Sequence, residues 1–260
     1  MITYRSRNIN GRKFTIYGDT EDRSVYPSIL RHYEYENHMI DFYRELLTDG
    51  HVCIDAGANI GMLSMYMSCF TRSPIYAFEP IIENFEILKK NIEVNKLNVV
   101  PFNLALGKTN GKTDFAYDKQ FKGSGSLLYE EEFRQPNDER MQVDIITLDD
   151  FVEQNEIQKI DVLKMDVEGF ETSIVEGAKN VLETMRPDIV TEYCPPMIKA
   201  RNLDSEGYYK LLKSYCKNIY FINRPNMTLI KINDYSQLEQ IICSKRFDNI
   251  GDVYATNKDL

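Results

Sequence analysis

Residues 52–61 read Val-Cys-Ile-Asp-Ala-Gly-Ala-Asn-Ile-Gly, and no other stretch of this chain restricts its fold as tightly. The apolar run ending at Asp55 has the pattern of a buried strand. The turn after it carries Gly57 and Gly61, residues that let backbone approach a ligand or take dihedrals closed to other side chains. Met62, Leu63, Met65, Tyr66 and Phe70 then supply the apolar face of a crossover helix, and Ile75-Tyr76-Ala77-Phe78 is a second apolar run, ending at Glu79. A strand, a helix and a strand with an acid at the second tip is how a doubly wound sheet holds an adenosine ribose. The segment points to a nucleotide-like cofactor.

The loop narrows the choice of cofactor. The nicotinamide fingerprint is Gly-x-Gly-x-x-Gly, whereas this loop reads Gly57-Ala-Asn-Ile-Gly61, with Asp55 two residues ahead of the first glycine. An acid there can pair with a cationic, amine-bearing ligand, and S-adenosylmethionine carries both an ammonium and a sulfonium. A phosphate-binding Walker loop is excluded, because no Gly-Lys-Ser/Thr follows.

The same alternation continues along the chain. Ile2-Thr3-Tyr4 and Phe14–Tyr17 flank Asn10-Gly11, a tight-turn signal, so the N-terminus reads as a hairpin. Met39, Ile40, Phe42, Tyr43, Leu46 and Leu47 recur at helical spacing, and Asp49-Gly50 stops that helix. After Pro80, which suits a helix start, Phe85, Leu88 and Ile92 share a helix face. Val99–Phe102 is a third strand, leading to Asn103-Leu104-Ala105. From Lys108 to Arg140 the pattern loosens into polar chain, an excursion that in a compact domain is functional or disordered. Ile160–Asp166 and Asp188–Glu192 read as the fourth and fifth sheet strands. Ile219–Ile222 and Leu229–Ile232 read as a hairpin, and Asp252–Thr256 as a last strand. Asp55, Glu79, Asn103, Asp166 and Glu192 all fall at strand tips, where an open α/β sheet binds its ligand.

Composition closes off other classes. A net charge of −9 disfavours a nucleic-acid binder, which needs a basic footprint. No apolar run approaches the roughly 20 residues of a membrane span, and the first residues lack a secretory apolar segment. Five scattered cysteines with no Cys-x-x-Cys pair argue against a disulfide framework or a zinc site and fit a reducing, cytoplasmic setting. No His-rich or carboxylate-rich spacing calls for a metal.

Asp55-Ala-Gly-Ala-Asn-Ile-Gly61, Ala77-Phe-Glu-Pro80 and Leu163-Lys-Met-Asp-Val-Glu-Gly-Phe-Glu171, in this order, resemble the FkbM-type methyltransferases. The resemblance runs from about Glu36 to Glu192, and the last of these motifs is its most specific part. It implies the class I S-adenosylmethionine-dependent fold. This is an α/β, doubly wound, mostly parallel seven-stranded Rossmann-like sheet with helices on both faces and an antiparallel C-terminal strand. An N-terminal hairpin and a β insertion at 108–146, near the acceptor pocket, would complete a single domain over 1–260. It further implies that Asp55, Gly57, Asn59 and Gly61 line the methionine end of the cofactor, and that Glu79 takes the ribose hydroxyls. Asn103, Leu104 and Ala105 would face the adenine, and Asp166 would lie near the transferred methyl.

A hydroxyl acceptor needs a positioned base, and the candidates are Asp166, Glu168, Glu192 and His32; Lys164 is a further catalytic candidate. Each has a plainer reading. Lys164 and Glu171 could form a structural ion pair, and Glu168 could serve a helix N-terminus. Ser124 and Ser126, and Arg31, Tyr33 and Tyr35, are candidates to flank the acceptor. The expected activity is O-methylation of a sugar hydroxyl, on a nucleotide sugar or surface glycan, with no nucleic-acid partner and no membrane span. The alternatives are a secondary-metabolite acceptor, an adenine amino group, and a non-catalytic cofactor-binding module. Cys194-Pro-Pro-Met197 lacks the aromatic that adenine methylation commonly uses.

Overall fold

The apolar runs and the punctuation between them fold largely where the sequence places them. The computed structural model describes residues 1–32, 35–118, 120–127, 138–200, 203–224, 227–244 and 249–260. The Asn10-Gly11 turn joins β1 (Ile2–Ile9) to β2 (Arg12–Asp19), and α1 (Tyr26–His32) and α2 (His38–Leu46) follow. The strand–helix–strand unit is β3 (Cys53–Ala56), α3 (Met62–Met67) and β4 (Ile75–Phe78), continued by α4 (Ile82–Asn95) and β5 (Val99–Phe102). Next come β6 (Ala105–Leu106), β7 (Gly111–Asp118), β8 (Phe121–Leu127) and β9 (Asp138–Ile146). They lead to α5 (Leu148–Gln154), β10 (Val162–Met165), α6 (Glu171–Glu176), α7 (Lys179–Thr184) and β11 (Asp188–Tyr193). The remaining elements are α8 (Pro195–Ala200), α9 (Ser205–Tyr215), β12 (Asn218–Asn223), β13 (Thr228–Ile232), α10 (Tyr235–Ile242) and β14 (Gly251–Thr256).

The main sheet has the order β13-β12-β14-β11-β10-β3-β4-β5. The run from β11 to β5 is parallel, β14 is antiparallel to both of its neighbours, and β13 is antiparallel to β12. This is the expected mostly parallel, doubly wound α/β sheet. It has eight strands where seven are expected, because both arms of the C-terminal hairpin join its edge. Every residue of β3 and β10 is buried, as parallel strands covered on both faces require. Ile54, Leu163 and Ile189 pack into the core on one face. Cys53, Val162 and Val190 pack on the other, with α2, α3, α4 and the N-terminal hairpin. Fully burying one such aliphatic side chain contributes about 1.5–3 kcal/mol. No helix among the described residues is long and apolar enough to cross a membrane.

One local reading is corrected. Pro80 stands outside α4, whose N-cap is Ile81. Leu88 is buried on the core face with Phe85 and Ile92 partly buried beside it, as expected, and Asn84, Ile87 and Asn91 are buried there too. The reason lies in the hairpin. Tyr17 N donates to Asn91 Oδ1 (2.7 Å) and Thr15 N to Asn95 Oδ1 (2.8 Å), while both asparagine amides donate back to the carbonyls of the same residues. Two asparagines one turn apart thus satisfy the exposed backbone edge of β2, which would otherwise face a helix unpaired. The β insertion expected over 108–146 is present among its described residues. β7, β8 and β9 form a second sheet of order β6-β9-β7-β8, and Phe115, Tyr117 and Val143 bury against Ile81.

Candidate active site

The chain leaves β3 outward through β4 to β5, and returns to place β10 and β11 on the other side of β3. The topological switch point, where such sheets bind ligands, therefore lies between the tips of β3 and β10. The loop from β3 passes very close to the tip of β10. A Cβ added to Gly57, which has φ +74°, would stand 1.9 Å from the Asp166 carbonyl oxygen. Only glycine fits both the dihedral and the approach. Asn59 is left-handed as well (φ 50°), and its Oδ1 accepts from Ile60 N at 2.7 Å. Gly61 has a different task from the one expected. At φ +91° it caps α3, a Cβ there would meet Leu88 Cδ1 at 2.6 Å, and it packs toward α4 while Gly57, Ala58, Asn59 and Ile60 line the cavity.

Glu79 closes the β4 side. Its Oε2 accepts from Asn59 N and its Oε1 from Ile81 N, both at 2.8 Å, so the carboxyl ties the glycine loop to the start of α4. Burial pushes its pKa up to about 7 against the pull of those two backbone donors. The Asn84 side chain also hydrogen-bonds the carboxyl, and the lone pairs that remain are open to ligand hydroxyls. Leu104 and Ala105 line the cavity beside it with Phe78 and Ile81. The Asn103 side chain does not; its amide donates to Glu79 O and Pro80 O, both at 2.9 Å, and so braces the tip.

Asp55 and Lys164 are register partners on β3 and β10. Lys164 Nζ lies 2.9 Å from Asp55 Oδ1 and 3.8 Å from Asp166 Oδ2, and donates to Gly57 O at 3.0 Å and Ala56 O at 3.3 Å. Ser64 Oγ on α3 donates to the other Asp55 oxygen. Burial alone would lower the lysine pKa, but Asp55 and Asp166 raise it well above its ordinary value. Asp55 is fully buried and is not among the cavity-lining residues, so it does not meet a ligand directly; it anchors Lys164 beneath the loop. The Lys164–Glu171 pair considered from sequence does not form. Glu171 Oε1 instead accepts from Val167 N (3.0 Å) and Gly169 N (3.3 Å), bracing the turn after β10, where Glu168 (φ 58°) and Gly169 (φ 93°) are both left-handed.

Asp166, Glu168 and Glu192 all line the cavity, and Lys164 lines it with a sliver of its surface. The Asp166 carboxyl is about a quarter exposed (24%), and its pKa is raised by burial despite the opposing pull of Lys164. Burial, then Asp166 and Glu168, hold the Glu192 carboxyl well above the usual range. The side chains of His32, Arg31, Ser124 and Ser126, and all of Tyr33, lie outside the described residues. Tyr35, a candidate to flank the acceptor, lines the cavity, and Val25 and Glu36, with Phe115 and Gly123 of the second sheet, join the wall without having been singled out from the sequence. Burial, then Asp252 and Asp166, push the Glu36 pKa up to about 8. Asp252 itself is held by His38 Nε2 (3.1 Å) and Arg224 Nε (3.0 Å).

The cavity encloses about 980 Å³, its open mouth included. One end offers a carboxylate for two ribose hydroxyls and an apolar slot; the other offers a side-chain-free loop and carboxylates that suit a cationic sulfur. These residues fit S-adenosylmethionine. Among the described residues no three His, Cys, Asp or Glu side chains are grouped to hold a metal ion.

Comparison with known proteins agrees with this geometry. The profile of the methyltransferase FkbM domain matches residues 55–247. Methyltransferase 1 of Beauveria bassiana is 26% identical over 198 residues, 68% of this chain and 76% of that protein. The hexuronic acid methyltransferase AglP of Haloferax volcanii is 28% identical over 155 residues, 60% of this chain and 61% of AglP, so the match spans less than two thirds of that relative. The 2-O-methyltransferase NoeI of Sinorhizobium fredii is 25% identical over 183 residues, 63% of this chain and 72% of that protein. Among solved structures, a methyltransferase FkbM from Methylobacillus flagellatus superposes with a TM-score of 0.47 at 12% identity, covering 84% of this chain and about half (51%) of that one.

Proposed function

The chain belongs to the FkbM family of S-adenosylmethionine-dependent methyltransferases, and from that premise we propose that it methylates a hydroxyl of a sugar or a similar small molecule. The observation that carries the reading is the convergence of Glu79 and Asp166, from the tips of β4 and β10, on one cavity beside the side-chain-free Gly57. Two relatives whose names specify a hexuronic acid and a 2-O position lend support for a sugar hydroxyl.

When bound, S-adenosylmethionine supplies an electrophilic methyl on a positively charged sulfur. The chain's part is to orient and to manage one proton. Glu79 holds the ribose end, with its two oxygens already aimed by Asn59 N and Ile81 N. Lys164 fixes the loop carbonyls and, through its 3.8 Å contact, the Asp166 carboxyl. Asp166 would accept the proton of the acceptor hydroxyl. Its raised pKa brings it closer to the proton it must take. Glu192 and Glu168 stand beside it as further proton holders.

Calorimetry with S-adenosylmethionine and, separately, NAD tests the cofactor, and radiolabelled methyl transfer to a panel of nucleotide sugars and methyl glycosides tests the acceptor. Saturable binding of S-adenosylmethionine alone, with label appearing in a sugar ether, is the expected result. Binding of NAD alone refutes the reading, and label passing only to non-hydroxyl acceptors refutes its acceptor half.

A further inference from the structure

We propose that Glu36 selects the acceptor: its carboxyl receives a hydroxyl or ammonium donor of the bound molecule, and the wall it stands in turns away an acceptor that carries a carboxylate at that point. The inference rests on the methyl-transfer reading above, which makes the Asp166 end of the cavity the acceptor end.

Glu36 precedes the matched family region, yet it lines the same cavity as Asp166 and Glu192. Its segment is fastened on both sides. Tyr66 Oη donates to Tyr35 O, the Arg7 guanidinium donates to Asn37 Oδ1, and Met39 N donates to Glu36 O at 2.9 Å. Glu36 itself holds φ 44°, a conformation that is uncommon for a residue other than glycine. A fastened, left-handed glutamate whose side chain borders a ligand cavity is costly to keep for packing alone. Among the described residues none hydrogen-bonds or ion-pairs with its carboxyl, which borders the cavity.

The charges around it set the chemistry of what it receives. Four carboxyls share this wall: Glu36, Asp166, Glu168 and Glu192. The two described cations that act on Glu36 are committed elsewhere, Lys164 to Asp55 and the loop carbonyls, Arg224 to Asp252 beside His38. Burial first, and the neighbouring carboxylates after it, raise the pKa values of both Glu36 and Glu192. A carboxylate on the acceptor would lose its water and find no uncommitted cation among the described residues, whereas a hydroxyl or amine meets oxygens able to accept. Rejection through an unpaired charge is a common route to specificity. The expected preference is thus opposite to the acidic sugar in AglP's name.

The test uses the full chain loaded with S-adenosylhomocysteine and titrated with methyl glucoside, methyl glucosaminide and methyl glucuronide, followed by ligand-observed NMR. The glucoside and glucosaminide are expected to bind, and the glucuronide at least about tenfold more weakly, the size of penalty that one unpaired charged group carries. In Glu36→Gln the affinity for the cofactor product stays the same and the gap between glucosaminide and glucuronide narrows severalfold; Glu36→Ala widens access without restoring the gap. Glucuronide binding equal to or tighter than glucoside, or an unchanged gap in Glu36→Gln, overturns the proposal and leaves the methyl-transfer reading standing. Binding of none of the three sugars by cofactor-loaded protein overturns both the proposal and the sugar assignment. Failure of the wild-type chain to bind the cofactor product overturns the underlying reading.

Discussion

Replacing Lys164 with methionine isolates the pair that joins the two halves of the site. Lys164 and Asp55 are direct partners across β10 and β3, with 4% and 0% of their side chains exposed. Methionine keeps the length of the stem and deletes the ammonium, leaving Asp55 buried with Ser64 Oγ as its hydrogen-bond donor. Removing one member of a buried pair costs about 3–5 kcal/mol, chiefly because the other charge is stranded. For a chain of this size each kcal/mol moves Tm by about 2–4 °C, so the expected fall is about 6–20 °C. Pairing the change with Asp55→Asn removes the stranded charge and should restore most of the loss. The sign of the pH dependence follows from the same contacts. Burial pulls the lysine pKa down, Asp55 and Asp166 pull it further up, and the net value is raised above that of an unfolded lysine. The pair's stabilisation is therefore complete below about pH 10.4, the ordinary lysine value, and is lost as pH rises through the folded pKa. Calorimetric melts of wild type, Lys164→Met and the double variant decide the matter. A single-variant loss below about 1 kcal/mol, or a double variant no better than the single, would refute the argument that this is a tightly coupled buried pair.

Glu79→Gln should weaken S-adenosylmethionine about tenfold or more by calorimetry, since hydrogen bonds to a charged acceptor are the strong ones. Because burial raises Glu79 to about 7 in the cofactor-free protein, stability should fall as pH rises from about 4.3 to 7, by at most about 1.4 kcal/mol per pH unit from this group, and Glu79→Gln should remove that slope in urea titrations. Gly57→Ala puts a Cβ 1.9 Å from a backbone oxygen at φ +74°; the loss of stability should exceed the roughly 1–2 kcal/mol of the left-handed conformation alone, and a melt within about 2 °C of wild type would contradict the close approach. Asp166→Asn should lower methyl transfer about a hundredfold or more while leaving cofactor affinity nearly unchanged, and undiminished turnover would remove Asp166 as the base.

What the sequence makes legible is what local order specifies. β3, β4, β5, β10 and β11 each announce themselves as apolar runs with a polar residue at or just beyond the tip, and the tip rule then brings Asp55, Glu79, Asp166 and Glu192 to one end of the sheet. The rule does not say which way a tip side chain turns. Asp55 faces the helix-covered side of β3, where Lys164 meets it in register and Ser64 reaches it from α3. That environment is assembled from three segments, and no spacing within any one of them reveals it. Gly61 and Asn103 were likewise placed at the correct loops, but one packs against Leu88 and the other braces backbone carbonyls. The Asn91/Asn95 clamp was in principle visible, because two asparagines four apart on a helix face have few uses other than bonding a backbone edge. The sheet of β7 to β9 was expected from the family resemblance and not from the residue pattern, because charged and glycine residues dilute the alternation of Phe115 and Tyr117.

The uneven legibility has a physical origin in how the cavity is divided. The cofactor end is built from residues adjacent in sequence to strand tips, Gly57 to Ile60, Glu79 and Leu104 to Ala105, all within the matched region. A ligand shared across a family imposes one geometry on that end, and one geometry yields a recurring sequence pattern. Phe115, packed with Ile81 and Ala105, and Gly123, beside Asn59 and Ser24, add to that end from the second sheet, while Tyr35 and Glu36 from the N-terminal segment line the cavity with Asp166 and Glu192. Gly123 N donates to Ser24 Oγ at 2.9 Å, so two of these segments hold each other rather than the main sheet. Such a wall can change its lining without disturbing Lys164, Asp55 or the loop they secure. On the proposal above, acceptor choice falls to Glu36, which lies ahead of the matched region and is therefore not written into the shared motifs.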